Sequence, residues 1–189
     1  MGFKNNFDEA KEFNGIKPEG DYECLISKVE ERQTKVSQKT YLSIAYVVRN
    51  DVDQSYKNAL IFQNFWKRKE PTDADKSVNG YSFNQIMSLG LAAGLQDGKE
   101  YSDLDDFCKD LIGRPVRVTI KHDEYNGNVT EQVSWTNKTK FPTVKHTAKD
   151  GTPAGKPVQY QPSNVNTTAP VVYIAADDFP FYCFFVLDR

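Results

Sequence analysis

From Asp21 the chain alternates, with Tyr22, Cys24 and Ile26 on one side and Glu23, Leu25 and Ser27 on the other. A period of two predicts a half-buried strand. Residues 30–39 are polar and read as a loop or a twisted strand end. Residues 40–50 predict a second strand, with Leu42, Ile44, Tyr46 and Val48 inward and Tyr41, Ser43, Ala45 and Arg49 outward. Residues 59–66 predict a third. The period then lengthens: Tyr81, Ile86, Leu89 and Leu91 recur at helical spacing within 78–95, with Ser82 placed to cap the start and Gly94 to stop the end. Leu104, Phe107, Cys108 and Leu111 predict a second short helix between Ser102 and Gly113. Arg114-Pro115 opens a fourth strand, where Val116, Val118 and Ile120 alternate with Arg117, Thr119 and Lys121. Asn126-Gly127 is a hairpin signal, and Val129, Glu131, Val133 and Trp135 follow as a fifth strand.

Three strands, a helical segment and a two-stranded hairpin form the order of the oligonucleotide-binding (OB) fold. The expected class is mainly β: a five-stranded OB-fold barrel with a helical segment between the third and fourth strands. Another small antiparallel barrel with an inserted helical pair fits the same order. Residues 1–19, polar with Phe3, Phe7 and Phe13 spaced through them, are expected to form an N-terminal arm ahead of a domain at 20–146. From Thr147 the sequence turns to Pro, Gly, Asn and Thr, a composition unsuited to a core. It predicts a flexible linker over 147–175 and an acidic and aromatic tip over 176–189, together a disordered C-terminal tail.

Composition narrows the class. Of 189 residues, 39% are hydrophobic, enough for one core, while a mean hydropathy of −0.63 keeps much of the chain in water. The net charge of −2 does not announce a nucleic-acid binder, so the local distribution decides. Cys24, Cys108 and Cys183 are sparse and odd in number, which fits a reducing compartment, and no Cys/His set has zinc-ligand spacing. No metal or cofactor is expected. Neither a signal-like apolar core nor a run near the ~20 residues of a membrane span occurs.

Catalytic patterns are missing as well. His122 and His146 are the two histidines, and no GxSxG, Walker A or HExxH sequence is present, so no enzyme activity is expected. Asp103, Asp105 and Asp106 sit at a helix start, where the helix dipole favours acids over a metal-site role. Gly90 to Gly94 reads as helix packing or a stop rather than a phosphate loop.

Basic and aromatic positions form a stronger pattern. Phe65-Trp66-Lys67-Arg68-Lys69 places two aromatics beside three cations at the end of the third strand. Cations track phosphates and release counterions, and aromatic faces stack on unpaired bases without demanding a sequence. Arg114, Arg117 and Lys121 alternate away from the core, Tyr125 sits at the hairpin tip, and Lys138 and Lys140 follow the fifth strand. Tyr41 and Arg49 lie on the outward side of the second strand. On a barrel these positions line one groove for single-stranded DNA, with Trp66 and Trp135 placed either there or in the core.

These residues resemble a phage and prophage family catalogued as domain of unknown function 669, whose members resemble single-stranded-DNA-binding proteins. The likeness runs over about 1–142. It is carried by Met1-Gly2-Phe3, Pro18-Glu19-Gly20-Asp21-Tyr22-Glu23, Val48-Arg49-Asn50-Asp51-Val52, Phe65 to Thr72, Gly80-Tyr81-Ser82-Phe83, Ala93-Gly94-Leu95, Leu111 to Val116 and Glu124-Tyr125-Asn126-Gly127. The resemblance implies a role in phage replication or recombination in the bacterial host cytoplasm. In the tail, Asp177-Asp178-Phe179-Pro180-Phe181 is similar to the acidic tip with which bacterial single-stranded-DNA-binding proteins recruit replication and repair proteins, although eight residues follow Phe181 here. The expected function is therefore a non-catalytic single-stranded-DNA-binding protein, with self-association possible. A recombination mediator and a protein-interaction module without nucleic acid are the competing readings.

Overall fold

Of the chain, the computed structural model describes residues 16–125, 127–156 and 158, with the backbone alone at Tyr125. The alternating stretch forms β1 (Gly20–Gln33), which runs well into the segment expected to be loop. It can do so because a bulge between Ile26 and Lys28 resets its parity. Tyr22, Cys24 and Ile26 face the core before the bulge and Val29 faces it afterwards, leaving Lys28, Glu30 and Arg32 on the outer side. β2 (Thr40–Val48) and β3 (Leu60–Trp66) follow, then three helices, α1 (Asp73–Ser77), α2 (Phe83–Ala92) and α3 (Leu104–Leu111), and finally β4 (Pro115–Tyr125) and β5 (Asn128–Lys138).

All pairings are antiparallel, in the order β3-β2-β1-β4-β5. This is OB-type connectivity. The edge strands β3 and β5 lie against each other without pairing, so the expected barrel is an open sheet rather than a hydrogen-bonded cylinder. The helices cover its mouth: Ile86, Leu89, Phe107 and Leu111 pack with Tyr22, Ile26, Ile44, Tyr46, Val116 and Val118 in one core.

Local chemistry sets the helix ends. The five-residue α1, which the sequence pattern does not announce, is held by a capping box between Thr72 and Asp75. Ser82 stands at the N-cap of α2 without a side-chain hydrogen bond. Instead buried Asp75 accepts the Phe83 N–H at 2.8 Å, and this bond, with those from Thr72, holds its carboxyl below the usual range. Asp103 caps α3 by accepting the Asp106 N–H.

The chain after β5 departs most from expectation. Residues 147–156 were expected as linker, yet with 139–146 they form a strap over the outer side of β1. Glu23 and Leu25 point away from the main core but are 5% and 2% exposed, because the strap covers them. Glu23 accepts from the Thr139 hydroxyl and from the Lys140 N–H. A Cβ on Gly155 would lie 3.0 Å from Leu25 and 2.5 Å from Val144. The Lys156 N–H donates to Gly113, and Val158 is buried. Gly155 therefore marks a close backbone approach. Residues 1–15, most of the expected arm, lie outside the described residues, as do 159–189.

Candidate nucleic-acid interface

Opposed residues of antiparallel strands share a face, so the register alone lays out the outer surface of β1, β2 and β3. One row runs Arg32, Tyr41, Trp66, the next Glu30, Ser43, Asn64, and the next Lys28, Ala45, Phe62. Trp66 is 44% exposed and Phe62 56%. Tyr41 braces Trp66, with ring centroids 4.9 Å apart and a 39° tilt. Ser43 and Ala45 make a floor of small residues between a basic β1 and an aromatic β3. Lys28 and Arg32 both pair with Glu30, at 2.6 Å for Lys28, and these two contacts hold the Glu30 carboxyl low, Lys28 contributing most. The β1–β2 turn adds exposed Lys35 and Lys39 at the Arg32 end.

The cations expected after Trp66 fan out. Lys67 turns toward the barrel mouth, 3.2 Å from Glu31 and 5.2 Å above the Tyr81 ring. Arg68 lies 3.8 Å from Asp75. Lys69 is exposed and makes no ion pair among the described residues.

Other expected site residues lie elsewhere. Phe65 is opposite in parity to Trp66; it pairs with Leu42 and is 8% exposed in the core. Arg49, expected outward, is 1% exposed. It forks onto both Asp51 oxygens (2.9 and 2.6 Å) and donates to the carbonyls of Phe141 and Thr143 (2.6 and 2.7 Å). Arg49 does lie on the outer side, its N–H donating to the Glu23 carbonyl, and the strap that covers Glu23 and Leu25 is what buries it. Burial raises the Asp51 carboxyl, but Arg49 and the Lys145 N–H outweigh it and hold the group at about 2. Beside this hub, His146 is 3% exposed and accepts the Asn50 N–H at Nδ1; burial lowers its basicity. Arg114 is tied to Asp110 at 2.9 Å and to the C-terminal end of α3. Arg117 lies 3.6 Å from Asp21, in the row shared by Glu23.

A third group occupies the other half of the sheet. Trp135 is 56% exposed in a row with Thr119 and Asp21. Lys121 is exposed on a hairpin that also carries Asp123, Glu124 and Glu131. Tyr125 pairs through its backbone with Asn128, and Lys138 and Lys140 stand where β5 gives way to the strap. The structure thus gathers Tyr41, Trp66 and the Lys67–Lys69 segment at one end of the β1–β2–β3 face, and does not bring the β4–β5 residues to it. Asp177, Asp178, Phe179, Pro180 and Phe181 lie outside the described residues. Sequence reasoning missed Phe62, Lys28 and Arg32. Phe62 was legible, since it shares parity with Trp66 four residues on; Lys28 and Arg32 were not, because the bulge is what turns them outward.

Burial raises the Cys24 and Cys108 thiols, Cys108 to about 12, so neither is a thiolate at neutral pH.

No curated protein sequence matches the chain. Among solved structures it is similar to a chain of yeast RPA bound to ssDNA, with 9% identity, 75% of this chain and 90% of that chain covered, and a TM-score of 0.31. The model of the family described as protein of unknown function, DUF669, matches residues 3–157, which span the sheet, the helices and the strap, and the chain belongs to that family.

Proposed function

We propose that the outer face of β1, β2 and β3 binds single-stranded DNA, without catalysis. The observation that carries this reading is the pairing of exposed aromatics with cations in the same cross-strand rows: Arg32 with Tyr41 and Trp66, and Lys28 with Phe62. Half-exposed Trp and Phe on a sheet face cost solvation that a core position would recover. Stacked bases recover it instead, at about 1–3 kcal/mol per base. Cations one or two strands away lie where the attached phosphates run. In OB folds the strand 2–3 face and the loop joining strands 1 and 2 take this ligand; here that loop is the Lys35 to Lys39 turn. The chain's place in phage replication or recombination, in the host cytoplasm, belongs to the same proposal, as does recruitment of replication proteins by the Asp177 to Phe181 segment.

The test is a titration of the full chain with single- and double-stranded oligonucleotides of one sequence, followed by tryptophan fluorescence. Single strands are expected to quench Trp66 and to bind more tightly than duplex. The affinity is expected to fall as salt rises, because phosphate contacts release counterions. Equal affinity for duplex, or a flat salt response, would refute the proposal.

A further inference from the structure

The two aromatic units of the outer face are separated by a row of different character. Phe62 and Trp66 stand four residues apart on β3, about 13 Å along a strand rising ~3.3 Å per residue. Stacked neighbouring bases are separated by only ~3.4 Å. Two adjacent bases therefore cannot occupy Phe62 and Trp66 together, and a strand using both must pass at least one base across the middle row. That row consists of Glu30 on β1, Ser43 on β2 and Asn64 on β3.

The middle row is polar throughout, and two of its members are unusual choices. Asparagine is disfavoured within strands, yet Asn64 sits in the middle of β3 between two exposed aromatics, itself exposed and with no side-chain hydrogen bond among the described residues. Glu30 places a carboxylate in the centre of a face otherwise suited to phosphates. It is held there by Lys28 on one side and Arg32 on the other, so its position is fixed and its charge is locally balanced. Across β2 the two side chains start about 10 Å apart, two interstrand spacings, with buried Ser43 as the floor between them. Ser43 takes up little of the room between Glu30 and Asn64.

Resting on the single-stranded-DNA reading above, we infer that Glu30 and Asn64 read the base that crosses this row, and that they select a base carrying an exocyclic amine, cytosine or adenine, over thymine. A carboxylate accepts from the cytosine amine, and an asparagine amide pairs with the amine edge of adenine. On the edge that carries the exocyclic group thymine presents only O4 and the C5 methyl, so there its O4 faces the Glu30 carboxylate, and its single donor, N3–H, lies on the neighbouring edge. Phe62 and Trp66 stack on any base, so preference is confined to the middle position.

The experiment measures fluorescence-anisotropy affinities of the full chain for dC15 and dT15, with wild type, Asn64→Val, Glu30→Gln and Trp66→Ala. Both oligonucleotides carry the same phosphates, so their affinity ratio is insensitive to any loosening of Lys28 and Arg32 in Glu30→Gln. Wild type is expected to favour dC15 by about fivefold, the low end for one base-edge contact. The ratio is expected to fall toward one in Asn64→Val and Glu30→Gln, while Trp66→Ala weakens both oligonucleotides and keeps the ratio. A wild-type ratio of one or below, or a ratio that both middle-row variants leave unchanged, overturns the base preference. When Trp66→Ala still weakens both, that result leaves the binding face standing. Failure of either oligonucleotide to bind, or indifference of both to Trp66→Ala, overturns the binding face and the preference with it.

Discussion

Replacing Arg49 by Met tests whether the residue anchors the strap or meets DNA. Met keeps much of the aliphatic volume but removes all four guanidinium hydrogen bonds, two to Asp51 and two to the Phe141 and Thr143 carbonyls. Taking one partner from a buried ion pair costs about 3–5 kcal/mol, because the other charge stays behind. The lower end applies here, since Asp51 keeps the Lys145 N–H and lies nearer the surface than Arg49. A loss of about 3 kcal/mol is a large part of the ~5–15 kcal/mol that holds a typical domain together. Urea unfolding followed by circular dichroism is expected to show a lower midpoint at an unchanged slope. Asp51→Asn in the Arg49→Met background is expected to recover part of the loss by removing the stranded charge. At low urea, where the variant stays folded, its affinity for single-stranded DNA is expected to match wild type. A variant as stable as wild type within about 0.5 kcal/mol that binds DNA more weakly would refute the anchoring role and return Arg49 to the interface.

Adjacent residues Phe65 and Trp66 are expected to fail differently when changed to Ala. Phe65→Ala lowers stability by about 3–5 kcal/mol, whereas Trp66→Ala weakens DNA binding by about 1–3 kcal/mol with little change in the melt; matched effects would refute the face assignment. Stability is expected to fall with acid in two stages, read from urea midpoints across pH. His146 has a lowered pKa in the fold, so its contribution is complete above the unfolded value near 6.5 and is lost as pH drops below it. Asp51, at about 2 against 3.8 unfolded, contributes above 3.8 and is lost as pH falls toward 2. Arg49→Met is expected to shrink the second stage. Gly155→Ala places a Cβ 2.5 Å from Val144 at a φ of +111° and is expected to lower the melting temperature through about 1–3 kcal/mol of overpacking. A chain ending at Lys145 is expected to melt below one ending at Val158, because it exposes Leu25 and loses the Lys156 bond to Gly113; equal melts would show that the strap does not stabilise the domain.

The order of the strands and the placement of α2 and α3 were legible because these elements show a recognisable period, whereas the five-residue α1 is too short to show one. Val116, Val118 and Ile120 alternate into the core as read, and Leu104, Phe107, Cys108 and Leu111 bury one helical face. Parity was harder to follow across irregularities. The bulge at Ser27 moves Lys28 and Arg32 to the outer face, and no single residue marks it. Alternation put Arg49 on the correct, outer side, but it could not show the strap that buries it there. The strap was illegible for a different reason. Its residues carry no period, and what holds them is a set of partners supplied by Glu23, Arg49, Asn50 and Gly113 from far along the chain.

Those long separations have a kinetic consequence. Glu23 meets Lys140 across 117 positions, and Arg49 meets Phe141 and Thr143 across 92 and 94. Closing such loops is an entropic cost that the assembled sheet offsets, so the Glu23 and Arg49 contacts are expected to form after β4 and β5 have docked on β1. Substitutions among them are then expected to leave the folding rate nearly unchanged and to appear mainly as faster unfolding in stopped-flow urea jumps. The strap would in this sense act as a latch on the rate at which the domain opens, with the lifetime of the folded chain expected to depend on Glu23 and Arg49, away from the proposed binding face.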